Sequence, residues 1–273
     1  MIEALSQPFF QRALMAGLLA SIACGIVGTF VVVRRMASVS GGLSHAAFGG
    51  VGLGFLLGFD PLIGAAAFSL GSALAIGVLE RRHRQAIDTL VAIFWSVGMA
   101  LGFVFMSMKA GYAGDLTSYL FGSILYASNA HVLMIAALDV LVLGATILLF
   151  KELQAVSFED EFTTVVGVPS GVVYAVLMTM VALTVVVLIK VVGVILAIAL
   201  LSLPAASAKT WSKSLGRMMG WSTLISAFCT LTGLFASLWL GAQANIPPGP
   251  LIVLAGAAVF GGSVLAGPIR RRA

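Results

Sequence analysis

In "GGLSHAAFGG", residues 41–50, one imidazole stands among glycine, alanine and apolar residues. His45 has Ser44 before it and Ala46, Ala47, Gly49 and Gly50 after it, so the ring has room around it. Neutral imidazole is a borderline ligand for zinc, manganese or iron, and near neutral pH it can take up and release such an ion without a large desolvation penalty. One histidine does not make a metal site, and a second reading stays open, an imidazole that makes one hydrogen bond between helices. Asp139, in "ALDVLVLGA", is a lone carboxylate among aliphatic residues. It either lines a pore or bridges two helices as a neutral or paired group. Lys190 is read at a helix end, its apolar stem buried and its ammonium reaching the interface.

The elements that must position these groups follow from composition. The chain has 273 residues, 60% of them hydrophobic and 9% charged, with a mean hydropathy of +1.12. A soluble domain needs more polar surface, and runs of about 20 apolar residues recur along the whole length. The expected fold is an all-α polytopic membrane protein, a single transmembrane domain over residues 1–273. Spans are expected at 13–33, 38–58, 62–79, 90–108, 131–150, 171–189, 191–208, 219–241 and 248–267. The "GFDP" turn joins the second to the third, Lys190 marks the turn after the sixth, and "AQANIPPGP" precedes the last. The count is about nine, within a range of eight to ten, because residues 115–127 could form a short or re-entrant helix. His45 lies ten residues beyond Arg35, which at the rise of a helix puts it about 15 Å from the inner surface, near the midplane.

The net charge of +5 resides in short clusters, "RR" at 34–35, "RRHR" at 81–84, "KTWSKSLGR" at 209–217 and "RRR" at 270–272. Spread this way, the charges report orientation and not a nucleic-acid surface. With all four clusters on the cytoplasmic side, the N-terminus is outside and the C-terminus inside. The start, "MIEALSQPFFQRALMAG", lacks a basic leader and runs directly into the first span, so no cleaved signal peptide is expected. Cys24 and Cys229 lie inside apolar runs without CxxC spacing and read as small buried hydrophobes. Glycine pairs four apart, Gly50 with Gly54 and Gly98 with Gly102, read as close helix packing.

The loop at 151–170 carries the other recognisable pattern. In "SFEDEFTTVVG", Ser157 reads as an N-cap, Glu159, Asp160 and Glu161 as an acidic first turn, Phe158 and Phe162 as one side of a short helix, and Gly167 as its stop. The acids disfavour an anionic lipid surface and favour a cytoplasmic protein partner. Motifs for nucleotide hydrolysis, zinc peptidases or serine hydrolases are absent from the sequence, so the chain is not expected to be an enzyme and its driving energy must come from an ion gradient or another subunit.

Five stretches in order, "FVVVRRMASVSGGLSHAAFGG" at 30–50, "DLTSYLFGSIL" at 115–125, "FEDEFTTVVGVP" at 158–169, "VVGVILAIALLSLPAASA" at 191–208 and "GLFASLWLGAQANIPPGPLIVL" at 233–254, resemble the membrane permease of bacterial zinc, manganese and iron ABC importers, the ABC-3 family. The resemblance covers nearly the whole chain. It implies a type II importer-like permease bundle in the bacterial inner membrane and a homodimer around a central pathway. It further implies two cytoplasmic ATPase subunits that bind ATP and dock on the helix at 158–166, and an extracytoplasmic metal-binding protein that delivers cargo. Zn2+, or Mn2+ or Fe2+, would then be substrate, with no permanently bound cofactor. The histidine of the second span, His45 here, would take part in metal passage, with Ser44 or backbone beside it. Members of this group often carry an aspartate four residues before that histidine; here the position is Gly41. Without a hard carboxylate the donor set favours zinc over manganese. Three alternatives remain at this stage: an ion-coupled secondary transporter using Asp139 or His45, a scaffold acting through the 151–170 loop, and a permease for a metal chelate such as haem or a siderophore.

Overall fold

The computed structural model describes residues 7–83, 85–109, 124–158, 167–244 and 247–270. The described residues form ten α-helices: α1 (Pro8–Val33), α2 (Ala37–Leu57), α3 (Pro61–His83), α4 (Ile87–Ser107), α5 (Asn129–Leu148), α6 (Phe150–Phe158), α7 (Ser170–Val192), α8 (Val194–Trp211), α9 (Leu215–Ala244) and α10 (Pro248–Arg270). Among them, nine are long and apolar enough to cross a membrane, all but the nine-residue α6. The nine expected spans are all present. Several helices outrun their apolar windows: α1 begins at Pro8, five residues early, and α3 continues through Arg81 and Arg82 to His83. Basic residues in the last turn complement the helix dipole and extend the backbone ladder past the hydrocarbon boundary. The suggested helix at 115–127 falls mostly outside the described residues, which show only a 3-10 turn at Ile124–Tyr126.

Two turns explain why the chain reverses where it does. After α2, Gly58 takes a left-handed conformation at φ 79° and its N–H bonds back to the Gly54 carbonyl, a closure that glycine makes without Cβ strain. Asp60 then accepts from the Leu62 N–H at 2.9 Å and starts α3. The second reversal lies at Gly193, φ 88°, three residues beyond Lys190. Lys190 is exposed in the last turn of α7 and not in the turn itself.

The chain forms two compact units. One comprises α1 up to Val32, α5 up to Gly144, α8, α9 and α10, with residues 187–192 of α7. The other comprises α2, α3, α4, residues 145–148 of α5, α6 and α7 up to Val186. In this second unit α2 is the centre, nearly all buried, packed on α3 and α4. The packing is backbone against backbone. A Cβ placed on Gly98 would stand 2.5 Å from the Ala46 Cα, and one on Gly102 would stand 2.7 Å from the Phe48 carbonyl oxygen. Small residues let α4 lie directly on α2, as expected for helices in lipid where dispersion and close approach replace the hydrophobic effect.

Candidate functional site: an imidazole on the central helix and the short helix after α5

Among residues 38–54 of α2, His45 is less buried than its immediate neighbours, Ser44 and Ala46. Its ring lies flat on the indole of Trp95 from α4, centroids 4.2 Å apart and planes 5° apart. The stack follows from the helix contact: Gly98, one turn after Trp95, meets Ala46, next to His45. A stacked imidazole keeps both nitrogens in the ring plane, clear of the indole face. The Nδ1 atom is buried and has no hydrogen-bond partner. A buried polar atom left unpaired costs about 1–3 kcal/mol, so this nitrogen is available to a ligand that can pair with it.

The other sequence-flagged groups sit as follows. Ser44 is fully buried and its hydroxyl donates to the Ser40 carbonyl at 2.8 Å, one turn back on α2. Gly41 is buried on α2, one turn before His45 and on the same face. Asp139 lies on α5 in the first-described unit and is 4% exposed. His45 and Ser44 therefore share a helix but not a face, and Asp139 belongs to a different unit. Among the described residues, no three His, Cys, Asp or Glu side chains converge.

A described helix precedes the one expected at 158–166, which beyond Phe158 lies outside the described residues. α6 begins at Phe150, and Ser157 sits in its last turn, where its hydroxyl donates to the Leu153 carbonyl at 2.5 Å. The strong helix formers Lys151, Glu152, Leu153, Gln154 and Ala155 favour this upstream helix. Leu153 and Val156 are buried, while Phe158, the last residue of α6, is 66% exposed. Gly167 takes φ 87° before Pro169 and the start of α7. Glu159, Asp160, Glu161 and Phe162 lie outside the described residues.

Sequence reasoning missed two features. Trp95 sits in mid-helix, away from the interfacial belts where tryptophan is usual; that position was the available signal. The second is a cluster around Tyr174, which is fully buried. Its ring carries the Arg34 guanidinium 4.4 Å above the centroid and Arg81 at 5.8 Å. Its hydroxyl donates to the Glu80 carboxylate. Arg34 also donates to the Val156 carbonyl of α6, and Arg81 donates to the Ser170 hydroxyl at 2.6 Å. The next residue, Arg35, holds φ 59°, a left-handed backbone uncommon for a residue with a Cβ. The arginines read from sequence as orientation signals therefore also tie the end of α6 to the starts of α2 and α7.

Residues 6–267 match the ABC 3 transport family. The chain is 35% identical over 246 residues to a "Probable metal transport system membrane protein" of Chlamydia pneumoniae, covering 88% of this chain and 83% of that one. It is 30% identical over 260 residues to the "Manganese transport system membrane protein MntC" of Listeria monocytogenes, covering 95% of this chain and 91% of that one. In structure it is similar to a chain of PsaBC from Streptococcus pneumoniae in complex with Fab, with a TM-score of 0.82 and 32% identity over 96% of this chain and 93% of that chain. With nine apolar helices among the described residues and matches along nearly its whole length, the chain belongs to the ABC 3 transport family, as a multi-pass inner-membrane permease of a metal ABC importer that does not itself hydrolyse ATP.

Proposed function

We propose that two copies of this chain form the pathway of an ATP-driven importer for a divalent first-row transition metal ion, with zinc as cargo and His45 as a relay ligand near the midplane. The observation that carries this reading is the His45 ring, held flat by Trp95 on a glycine-rich helix with its buried Nδ1 unpartnered. Transport needs coordination weak enough to release. One imidazole from each copy, completed by backbone or water, is such a set, whereas a closed four-ligand site would hold the ion. An imidazole set without a carboxylate suits zinc better than manganese. Asp139, a buried carboxylate in a membrane-spanning helix, is a candidate second station on the path. Ser44 could contribute only by giving up its bond to Ser40.

Manganese is the second reading, supported by the similarity to the manganese transport system membrane protein of Listeria monocytogenes. Gly41→Asp, one turn before His45, separates the two. A hard oxygen on that face is expected to shift uptake from zinc toward manganese, measured by competition in proteoliposomes, and Gly41→Asn, equal in shape but uncharged, is expected to shift it less. An unchanged preference in Gly41→Asp would detach selectivity from this face of α2.

The exposed Phe158 at the end of α6, with the acidic run 159–161 and Phe162 after it, is the proposed dock for a cytoplasmic ATPase, two per homodimer, while an extracytoplasmic metal-binding protein supplies the ion. Phe158→Ala with Phe162→Ala, or charge reversal at Glu159, Asp160 and Glu161, is expected to abolish co-purification of the ATPase with membrane insertion intact. Aromatic anchors of this kind are worth about 2 kcal/mol or more each. Normal co-purification would place the dock elsewhere.

A further inference from the structure

A cavity of 320 Å³ opens between α3 and α7 in the unit that carries His45. On α3 its wall is one helical face, Ala73, Gly77 and Arg81 at four-residue spacing, flanked by Leu74, Val78 and Arg82. Opposite stand Tyr174, Ala175 and Met178 of α7. Gly77 lies on the wall with room for a methyl: a Cβ there would stand at ordinary van der Waals distance from Tyr174 and Met178, 3.5 and 3.7 Å away, so only a longer side chain would fill the cleft. Leu74 and Val78 at its edge are exposed, so the cleft is open to the surroundings of the helices. Along its length it is apolar; at one end it is cationic. Arg81 is fixed there by Ser170 and the Tyr174 ring, Arg82 is exposed beside it, and Glu80 is occupied by the Tyr174 hydroxyl.

We propose that this cleft binds an anionic phospholipid, one acyl chain along Ala73, Gly77 and Met178 and the phosphate at Arg82 with Arg81 alongside. An apolar groove of this size within the membrane-spanning part of two helices is filled by hydrocarbon, since a void forfeits the dispersion contacts of its walls. Charge complementarity selects the headgroup, because a basic pocket between transmembrane helices on the side assigned to the cytoplasm is the geometry that recognises anionic lipid. The size lies within the usual range of small-ligand pockets, about 300–1,000 Å³. The proposal stands on α3 and α7 alone and is independent of the cargo and of His45.

The test is native mass spectrometry of the purified full-length protein titrated with phosphatidylglycerol or with phosphatidylcholine of the same acyl chains. Retention of phosphatidylglycerol over phosphatidylcholine is expected. Arg82→Gln, at an exposed position that leaves folding intact, should weaken phosphatidylglycerol retention about fivefold, the effect of one basic residue near the membrane surface. Gly77→Leu should remove retention of both lipids by filling the groove, and Gly77→Ala should keep it. Equal retention of the two lipids, or wild-type retention by Arg82→Gln, would overturn the proposal. So would efficient disulfide formation between copies of Leu74→Cys, which would assign the groove to a second copy of the chain.

Discussion

Gly98→Val is expected to lower the stability of the protein by about 3 kcal/mol, the upper part of the range for overpacking a close contact. A Cβ at residue 98 meets the α2 backbone at Ala46, 2.5 Å away, with the Ala46 carbonyl oxygen 2.9 Å away. Neither atom is the far end of a flexible side chain, so the two helices must separate. The separation acts next to His45 and lifts Trp95, one turn before Gly98, off the imidazole. Metal uptake per folded transporter should therefore fall as well. Gly144→Val is the comparison, because a Cβ there meets nothing within 4 Å, and it should leave both quantities near wild type. The measurements are the midpoint of thermal unfolding in detergent and uptake in proteoliposomes. A Gly98→Val protein as stable as wild type would show that α2 and α4 do not pack backbone to backbone.

Most of the fold was legible in the sequence, because in a bilayer the length and apolarity of a segment nearly dictate a helix. The nine spans and the GFDP turn required no tertiary information. The helix ends did: α3 carries Arg81 and Arg82 in its last turn, and hydropathy alone stops before charges that a helix end accommodates well. The helix before Ser157 was not legible. Attention to Ser157 and the acids after it passed over the five residues from Lys151, whose helix propensity carries α6 from Phe150 to Phe158, with the Ser157 hydroxyl turned back to Leu153 in its last turn.

The site was half legible. His45 stood out because an ionisable group inside a span is costly. Its partner did not: Trp95 lies fifty residues away, and only the contact of Gly98 with Ala46 brings the indole over the imidazole. The Tyr174 cluster was hidden for a similar reason. Arg34, Glu80, Arg81 and Tyr174 come from three separate helix ends, and in sequence two of them are indistinguishable from the positive charges that set orientation. Ser44 shows the converse limit. Adjacency to His45 suggested a second ligand, but neighbours on a helix point about 100° apart, and the hydroxyl is engaged by Ser40.

The central claim is that the His45 nitrogens contact the moving ion, and the most direct measurement is ATP-driven zinc uptake by His45→Phe in proteoliposomes containing the complete transporter. Phenylalanine keeps a flat ring for Trp95 to stack on, an interaction worth about 0.5–1.5 kcal/mol, and removes only the donor atoms. His45→Ala, assayed alongside, removes both. The account predicts that His45→Phe unfolds at nearly the wild-type temperature and still assembles with its ATPase, while zinc uptake falls at least tenfold, roughly the smallest loss seen when a metal's coordinating environment is disrupted. Uptake by His45→Phe at the wild-type rate, with only His45→Ala impaired and less stable, would contradict it and reduce the imidazole to a packing partner of Trp95.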